Sequence, residues 1–94
     1  MSEPDDAALI KRRKRLLYQC HHRGTQEADL LIGGFATASL ARLTTEQLDR
    51  FECLLDENDV DLVNWITGRS AVPEDLKSDV FILLKNFRIG PVTQ

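Results

Sequence analysis

The sequence predicts an all-α fold, a small five-helix bundle. Three observations lead there. Apolar residues recur at three- and four-residue spacing along nearly the whole chain, β-branched alternation is absent, and the 94 residues contain only three Pro and five Gly. About 40 residues are apolar, enough for one core and not for two. Residues 1–94 are therefore expected to form a single helical domain, with residues 1–8 and 92–94 as flexible ends.

In the first helix, Leu9, Ile10, Leu16, Leu17 and Cys20 form one stripe and Lys11, Arg12, Lys14 and Arg15 the opposite face. Gly24, after His21, His22 and Arg23, is placed to end it in a left-handed conformation. The second helix begins at Thr25, whose hydroxyl can cap it, with Glu27 and Asp29 near the positive end of its dipole. Leu30, Leu31, Phe35 and Ala38 are its expected apolar side. The adjacent Gly33 and Gly34 suggest close approach of another backbone, or a bend. Thr44 and Gln47 form a capping box for the third helix, with Leu43 and Leu48 at the staple positions. Leu48, Phe51, Leu54 and Leu55 follow, and the run Asp56–Asp59 closes it.

The fourth helix runs from about Asp59 to Thr67, with Leu62, Trp65 and Ile66 inward and Gly68 as its stop. The default reading of Trp65 is core packing, the alternative a binding hot spot. Pro73 is the expected first residue of helix five, where its missing N–H costs nothing. Leu76, Val80, Leu83, Leu84 and Phe87 keep one face of that helix, and Gly90-Pro91 ends it.

Composition excludes several classes. The net charge of −3 does not suit a general nucleic-acid coat. The longest uncharged stretch, Leu30 to Ala41, is 12 residues and includes two Gly, a Thr and a Ser, whereas a membrane span needs roughly 20 apolar residues. Two Cys are too few for a disulfide scaffold, and free thiols suit a reducing compartment. The acidic first ten residues match neither a secretory signal nor an Arg-rich mitochondrial presequence. A bacterial cytoplasm is the simplest address, and a processed mitochondrial matrix chain remains open.

Charge is segregated. Residues 1–24 hold six Lys and Arg, five of them consecutive from Lys11 to Arg15, and residues 44–64 hold seven acids and one Arg. Either the basic helix pairs with the acidic ridge inside the bundle, or the run faces a phosphate-bearing partner. The latter lacks a second basic element and stacking aromatics, so no nucleic-acid partner is expected. Cys20, His21 and His22 cluster, but adjacent ligands on a helix diverge by about 100°, so no metal site is assigned. The two His are expected to flank the helix C-terminus. No Gly-rich phosphate loop occurs, a chain this small has little room for a cleft, and no catalytic residue is assigned.

One constellation remains, Arg23-Gly24-Thr25-Gln26-Glu27 at the joint between the first two helices. Spacing alone favours an intramolecular cap with a local Arg–Glu ion pair. The alternative is a partner surface in which Arg23 and Glu27 supply charge and Gly24 permits close approach.

Residues 13–36, RKRLLYQCHHRGTQEADLLIGGFA, resemble the small assembly factors that promote covalent attachment of FAD to the flavoprotein subunit of succinate dehydrogenase. Residues 43–68, LTTEQLDRFECLLDENDVDLVNWITG, resemble the same family, as do Pro73 and the closing Gly90-Pro91-Val92; the likeness covers about residues 11 to 92. It implies a five-helix chaperone rather than an enzyme. Its partner would be the succinate dehydrogenase flavoprotein, with the fumarate reductase flavoprotein as a second candidate client. It would bind no cofactor tightly, since FAD belongs to the partner, and partner exchange suits a monomer. The family's RGxxE motif falls on Arg23, Gly24 and Glu27, and its upstream RxxY on Arg15 and Tyr18. His21 and His22 stand where other members often carry Arg or Lys. Gly24→Arg is expected to keep the fold and abolish flavinylation. The rival reading is a helical, antitoxin-like regulator of another protein.

Overall fold

The computed structural model describes residues 3–87, with side chains from residue 7. Five helices follow one another: α1 (Glu3–Cys20), α2 (Gln26–Ser39), α3 (Thr45–Leu55), α4 (Asp59–Thr67) and α5 (Asp79–Asn86). Two single 3-10 turns, Leu40–Arg42 and Glu74–Leu76, follow α2 and precede α5. There is no strand among the described residues. Helix α1 packs on α2 and crosses α3, α2 packs on α4, and α5 closes against α3 and α4.

The helix starts follow local chemistry. The Thr25 hydroxyl accepts from the Ala28 N–H at 3.1 Å, and Asn58 Oδ1 accepts from the Asp61 N–H at 2.8 Å. At α3 the capping box is complete, with Thr44 and Gln47 each satisfying the other's backbone N–H. Leu43 and Leu48, at the staple positions, are both buried. Gly68 stops α4 with φ +84°, the left-handed conformation that glycine takes without strain.

The core is one cluster with the Phe35 ring at its centre. That ring lies 5.5 Å from Phe51 and meets Phe87 edge-on at 5.9 Å. Leu16 and Cys20 enter from α1, Ile32 and Ala36 from α2, Leu54 from α3, and Val80 and Leu84 from α5. Leu62, Trp65 and Ile66 all point inward from α4, so Trp65 packs in the core.

Three expectations need correction. Of the ends expected to be flexible, residues 3–8 form the first turns of α1, and residues 1–2 and 92–94 lie outside the described residues. On α1, Leu16 and Cys20 are buried and Leu9 is partly so, whereas Ile10 and Leu17 face outward. On α2 the buried side is Ala28, Ile32, Phe35 and Ala36, while Leu30 and Ala38 are exposed. This helix is apolar on nearly every side, so composition does not select its inner face. Pro73 does not open helix five. Its extended backbone leads into the 3-10 turn, and Ser78 caps α5, accepting from the Phe81 N–H. Leu83 therefore faces outward, and the helix ends at Asn86 with Phe87 extended. The proposed stop at Gly90-Pro91 lies outside the described residues.

Helix α2 runs without a break through the glycine pair. A Cβ on Gly33 would sit 2.6 Å from His21 Nδ1, so the close approach is by a ring from the end of α1. The His21 Nε2 also lies 2.9 Å from the Thr37 hydroxyl. At the opposite end of the bundle, Asp79 ties the start of α5 to α3. Its carboxyl is held below the ordinary carboxylate range by a hydrogen bond from Gln47, then by the Val80 N–H and Arg50.

Two substitutions rank the forces in this fold. Phe51→Ala should cost about 3–5 kcal/mol of stability, for lost burial and the cavity left behind. Thr44→Ala should cost about 1 kcal/mol, for one cap. Urea unfolding of both variants checks the ranking, and the reverse order would contradict a core centred on Phe35 and Phe51.

Candidate functional site

Two of the five cations of the basic run, Arg12 and Arg15, pair with the acidic ridge at the surface of the bundle. Arg12 donates from Nε to Glu52 at 2.9 Å and from Nη2 to Asp49 at 2.6 Å. These hydrogen bonds, Glu52 first, hold its guanidinium firmly in the charged form. Arg15 reaches the same Glu52 at 3.2 Å. Arg13 turns the other way and donates to the Leu43 carbonyl. Five consecutive cations on a helix cannot share one face, and the crossing of α1 over α3 decides which of them meet acids.

At the end of α1 the chain turns on Arg23. Its Nε donates to Asp59 at 2.8 Å, Nη1 to the Leu55 carbonyl at 2.8 Å, and Nη2 to the Glu57 carbonyl at 2.9 Å. The side chains of Arg23 and Asp59 are only 11% and 16% exposed. The Arg23 backbone N–H donates to Asp29 at 2.6 Å. One guanidinium thus satisfies carbonyls where α3 ends and neutralises an acid where α4 begins, a use suited to its planar fork of donors. The ion pair is intramolecular, as spacing suggested, but the acid is Asp59 rather than Glu27. Glu27 is half exposed and lies 3.6 Å from Arg69, a surface pair that holds it weakly.

Gly24 is exposed, with φ +131°, and a Cβ there would stand 3.2 Å from Asp59 Oδ2. Any side chain at this position strains the backbone and presses on the Arg23–Asp59 pair. The expectation that Gly24→Arg leaves the fold untouched is therefore revised, since that variant confounds folding with binding.

Beside this joint runs an open groove of about 670 Å³. Arg15, Tyr18, His22 and Arg23 form one wall, and Glu52 and the turn Asp56–Asp59 form the other. Tyr18 is 64% exposed. Its ring stacks on His22 with centroids 3.9 Å apart and 18° between planes. His22 Nδ1 donates to the Tyr18 carbonyl at 2.8 Å, so this imidazole satisfies the end of α1 while bracing the phenol. Glu27 lines a smaller hollow with Val60, Asn64 and Arg69, and Asp59 borders both. The five residues singled out from the sequence thus share one side of the molecule, Arg15 and Tyr18 as groove wall, Arg23 beneath, Gly24 and Glu27 at the rim. Sequence reasoning missed Asp59 and the opposite wall, although the acidic run from Asp56 to Asp61 was the available signal.

Cys20 is fully buried and Cys53 exposed. Burial pushes the Cys20 thiol up to about 12, with Arg23 acting weakly in the opposite sense. Among the described residues no three His, Cys, Asp or Glu side chains gather in a way that could hold a metal ion. No helix among them is long and apolar enough to cross a membrane.

A profile of the family described as flavinator of succinate dehydrogenase matches residues 14–88, which takes in both walls of the groove. Among similar proteins are the mitochondrial succinate dehydrogenase assembly factor 2 of Dictyostelium discoideum and the FAD assembly factor SdhE of Acetobacter pasteurianus. The first is 43% identical over 78 residues, 83% of this chain and 55% of that protein. The second is 43% identical over 67 residues, 71% of this chain and 62% of that protein. Assembly factor 2 of Candida glabrata is 43% identical over 84 residues, 85% of this chain and 55% of that protein. The chain thus spans between 55% and 62% of the length of these relatives.

Arg23→Met leaves Asp59 and two carbonyls without their donor and should cost about 2–4 kcal/mol in urea unfolding. A loss below about 0.5 kcal/mol would mean that the clamp is not structural. An unfolded thiol ionises near pH 9 while folded Cys20 keeps its proton to about pH 12. Between those values the unfolded chain binds fewer protons, so Cys20 removes stability as pH rises, by roughly 1.4 kcal/mol per unit. Stability should fall less steeply over this range in Cys20→Ala, and parallel curves would refute the assignment.

Proposed function

Since the chain belongs to the family of succinate dehydrogenase flavinators, we propose that it binds the flavoprotein subunit of that enzyme and promotes covalent attachment of its FAD. The observation that carries this reading is the groove at the RGxxE joint, with a braced, exposed Tyr18 on its basic wall opposite an acidic one. An aromatic ring held rigid at the surface is the kind of anchor that dominates protein interfaces. Charges of both signs around it fix the register of a docked protein and disfavour wrong ones.

In this reading the chain is a chaperone and not the catalyst. Glu52, Asp56, Glu57 and Asp59 line the groove, and the two arginines facing them are already drawn to Glu52 and Asp59. Such a lining repels a diphosphate, so the groove suits a protein better than FAD itself, and the flavin stays with the flavoprotein. The contribution of the chain is geometric. Its binding energy holds the flavoprotein in the arrangement that brings the flavin against the His that receives it, and orientation of that kind is worth several kcal/mol of barrier. The motif divides accordingly. Arg23 and Gly24 shape the joint, while Tyr18, Arg15 and Glu27 present the contact surface.

The test is covalent flavin on the flavoprotein, co-expressed with this chain in a host lacking its own factor and read as fluorescence on an acid-denatured gel. The wild type should raise the signal. Tyr18→Ala should lower it by roughly thirtyfold, given that truncating an anchoring aromatic costs about 2 kcal/mol, and Glu27→Arg should lower it too, with helicity unchanged in both. A flavin signal indifferent to the presence of the chain would sink the reading.

A further inference from the structure

The basic helix has a second unsatisfied side. Ile10, Lys14 and Leu17 recur along α1 at helical spacing, away from the acidic ridge, and face Ala36, Leu40 and Ala41 across an open groove of about 360 Å³. Its walls are largely apolar side chains, and Ile10 and Leu17 are 53% and 36% exposed. Lys14 stands on its edge and Lys11 one turn earlier. Among the described side chains no carboxylate pairs with either lysine, whereas Arg12 and Arg15 of the same run both have acidic partners. Arg13 also lines this groove, and its Nε is buried with no hydrogen-bond partner. Its one bond here runs from Nη2 to the Leu43 carbonyl at 2.9 Å. A docked carboxylate would offer this guanidinium a better-satisfied arrangement at the cost of that single bond.

We propose that this groove is a second docking site for the flavoprotein client, taking a segment in which an apolar side chain is flanked by carboxylates. The inference rests on the reading of the client given above. The apolar floor supplies the pocket, and the two unpaired lysines with Arg13 supply the charge complement. The groove lies on the neighbouring face of α1, since Lys14 and Leu17 precede Arg15 and Tyr18 in the chain and point about 100° away from them. A helix with its side chains is only about 10–12 Å across, so a protein seated on Tyr18 reaches the Leu17 side by wrapping around α1. The concave shape favours a protein segment over a lipid surface.

The test uses the full chain carrying a photoreactive phenylalanine at Leu17, at Tyr18, or at the exposed Ile82 of α5 as a control, mixed with purified apo-flavoprotein. Ile10 serves as a second probe position should the Leu17 variant misfold. Adducts from Leu17 that map to a segment with Asp or Glu beside an apolar residue are the expected result. A tenfold weaker Kd for the Lys11→Glu, Lys14→Glu double variant should accompany them. Adducts from Tyr18 with Leu17 at the Ile82 background would overturn the second site and leave the proposed function standing. Adducts from neither position would remove both. Adducts joining two copies of this chain overturn the proposal in favour of self-association. Lysine-dependent pelleting with equimolar phosphatidylglycerol–phosphatidylcholine vesicles, without flavoprotein adducts, overturns it in favour of lipid binding.

Discussion

The arrangement of the site depends on one guanidinium. Arg23 joins the α1–α2 turn to the end of α3 and the start of α4, satisfying two carbonyls and an acid that would otherwise face each other unpaired. The hydrophobic core packs the helices but is indifferent to small shifts of their ends. A multidentate polar contact is not, because each of its bonds fixes a direction. The clamp therefore sets the distance between the wall bearing Tyr18 and the wall bearing Asp56 to Asp59. Gly24 follows from it, since the chain leaving Arg23 must turn with φ +131° beside Asp59, where a Cβ has little room.

Helix α1 then serves three neighbours at once. Leu16 and Cys20 enter the core, Arg12 and Arg15 hold the acidic ridge of α3, and Ile10, Lys14 and Leu17 look onto a groove shared with α2. Five cations in a row would make a uniform basic helix in isolation. Packed here, the run is divided by direction, and two of its five cations, Arg12 and Arg15, are paired with acids on one side. The net result is a molecule with little overall charge and strong local contrast, which favours selective protein contacts over general attraction to a polyanion.

Much of this was legible in the sequence, for identifiable reasons. The capping box at Thr44, the stop at Gly68 and the inward face of α4 depend on residues within one turn of each other, and local chemistry decides them. The family resemblance was legible too, because RGxxE and its flanking residues form a dense, ordered pattern. The inner face of α2 was not legible, since a helix apolar on all sides is oriented by its neighbours; Leu30 lost to Ile32 because α1 and α4 lie where they do. The start of α5 went to Ser78 over Pro73. A hydroxyl that caps a free N–H contributes an interaction, whereas proline only avoids a cost. The acid paired with Arg23 lies 36 residues away, beyond the reach of any local pattern.

A 94-residue bundle fills its interior with its own side chains. A surface whose shape is decided before an encounter loses little binding energy to ordering. Tyr18 illustrates the point. Its ring is exposed, yet it is held flat by His22, which is itself hydrogen-bonded to the end of α1. The contact side chains are thus held by their neighbours at the joint, and the arginine and glycine of the motif belong to the support. Recurrence of a residue in a binding motif is, in such a surface, as compatible with holding the contact residues in place as with touching the partner.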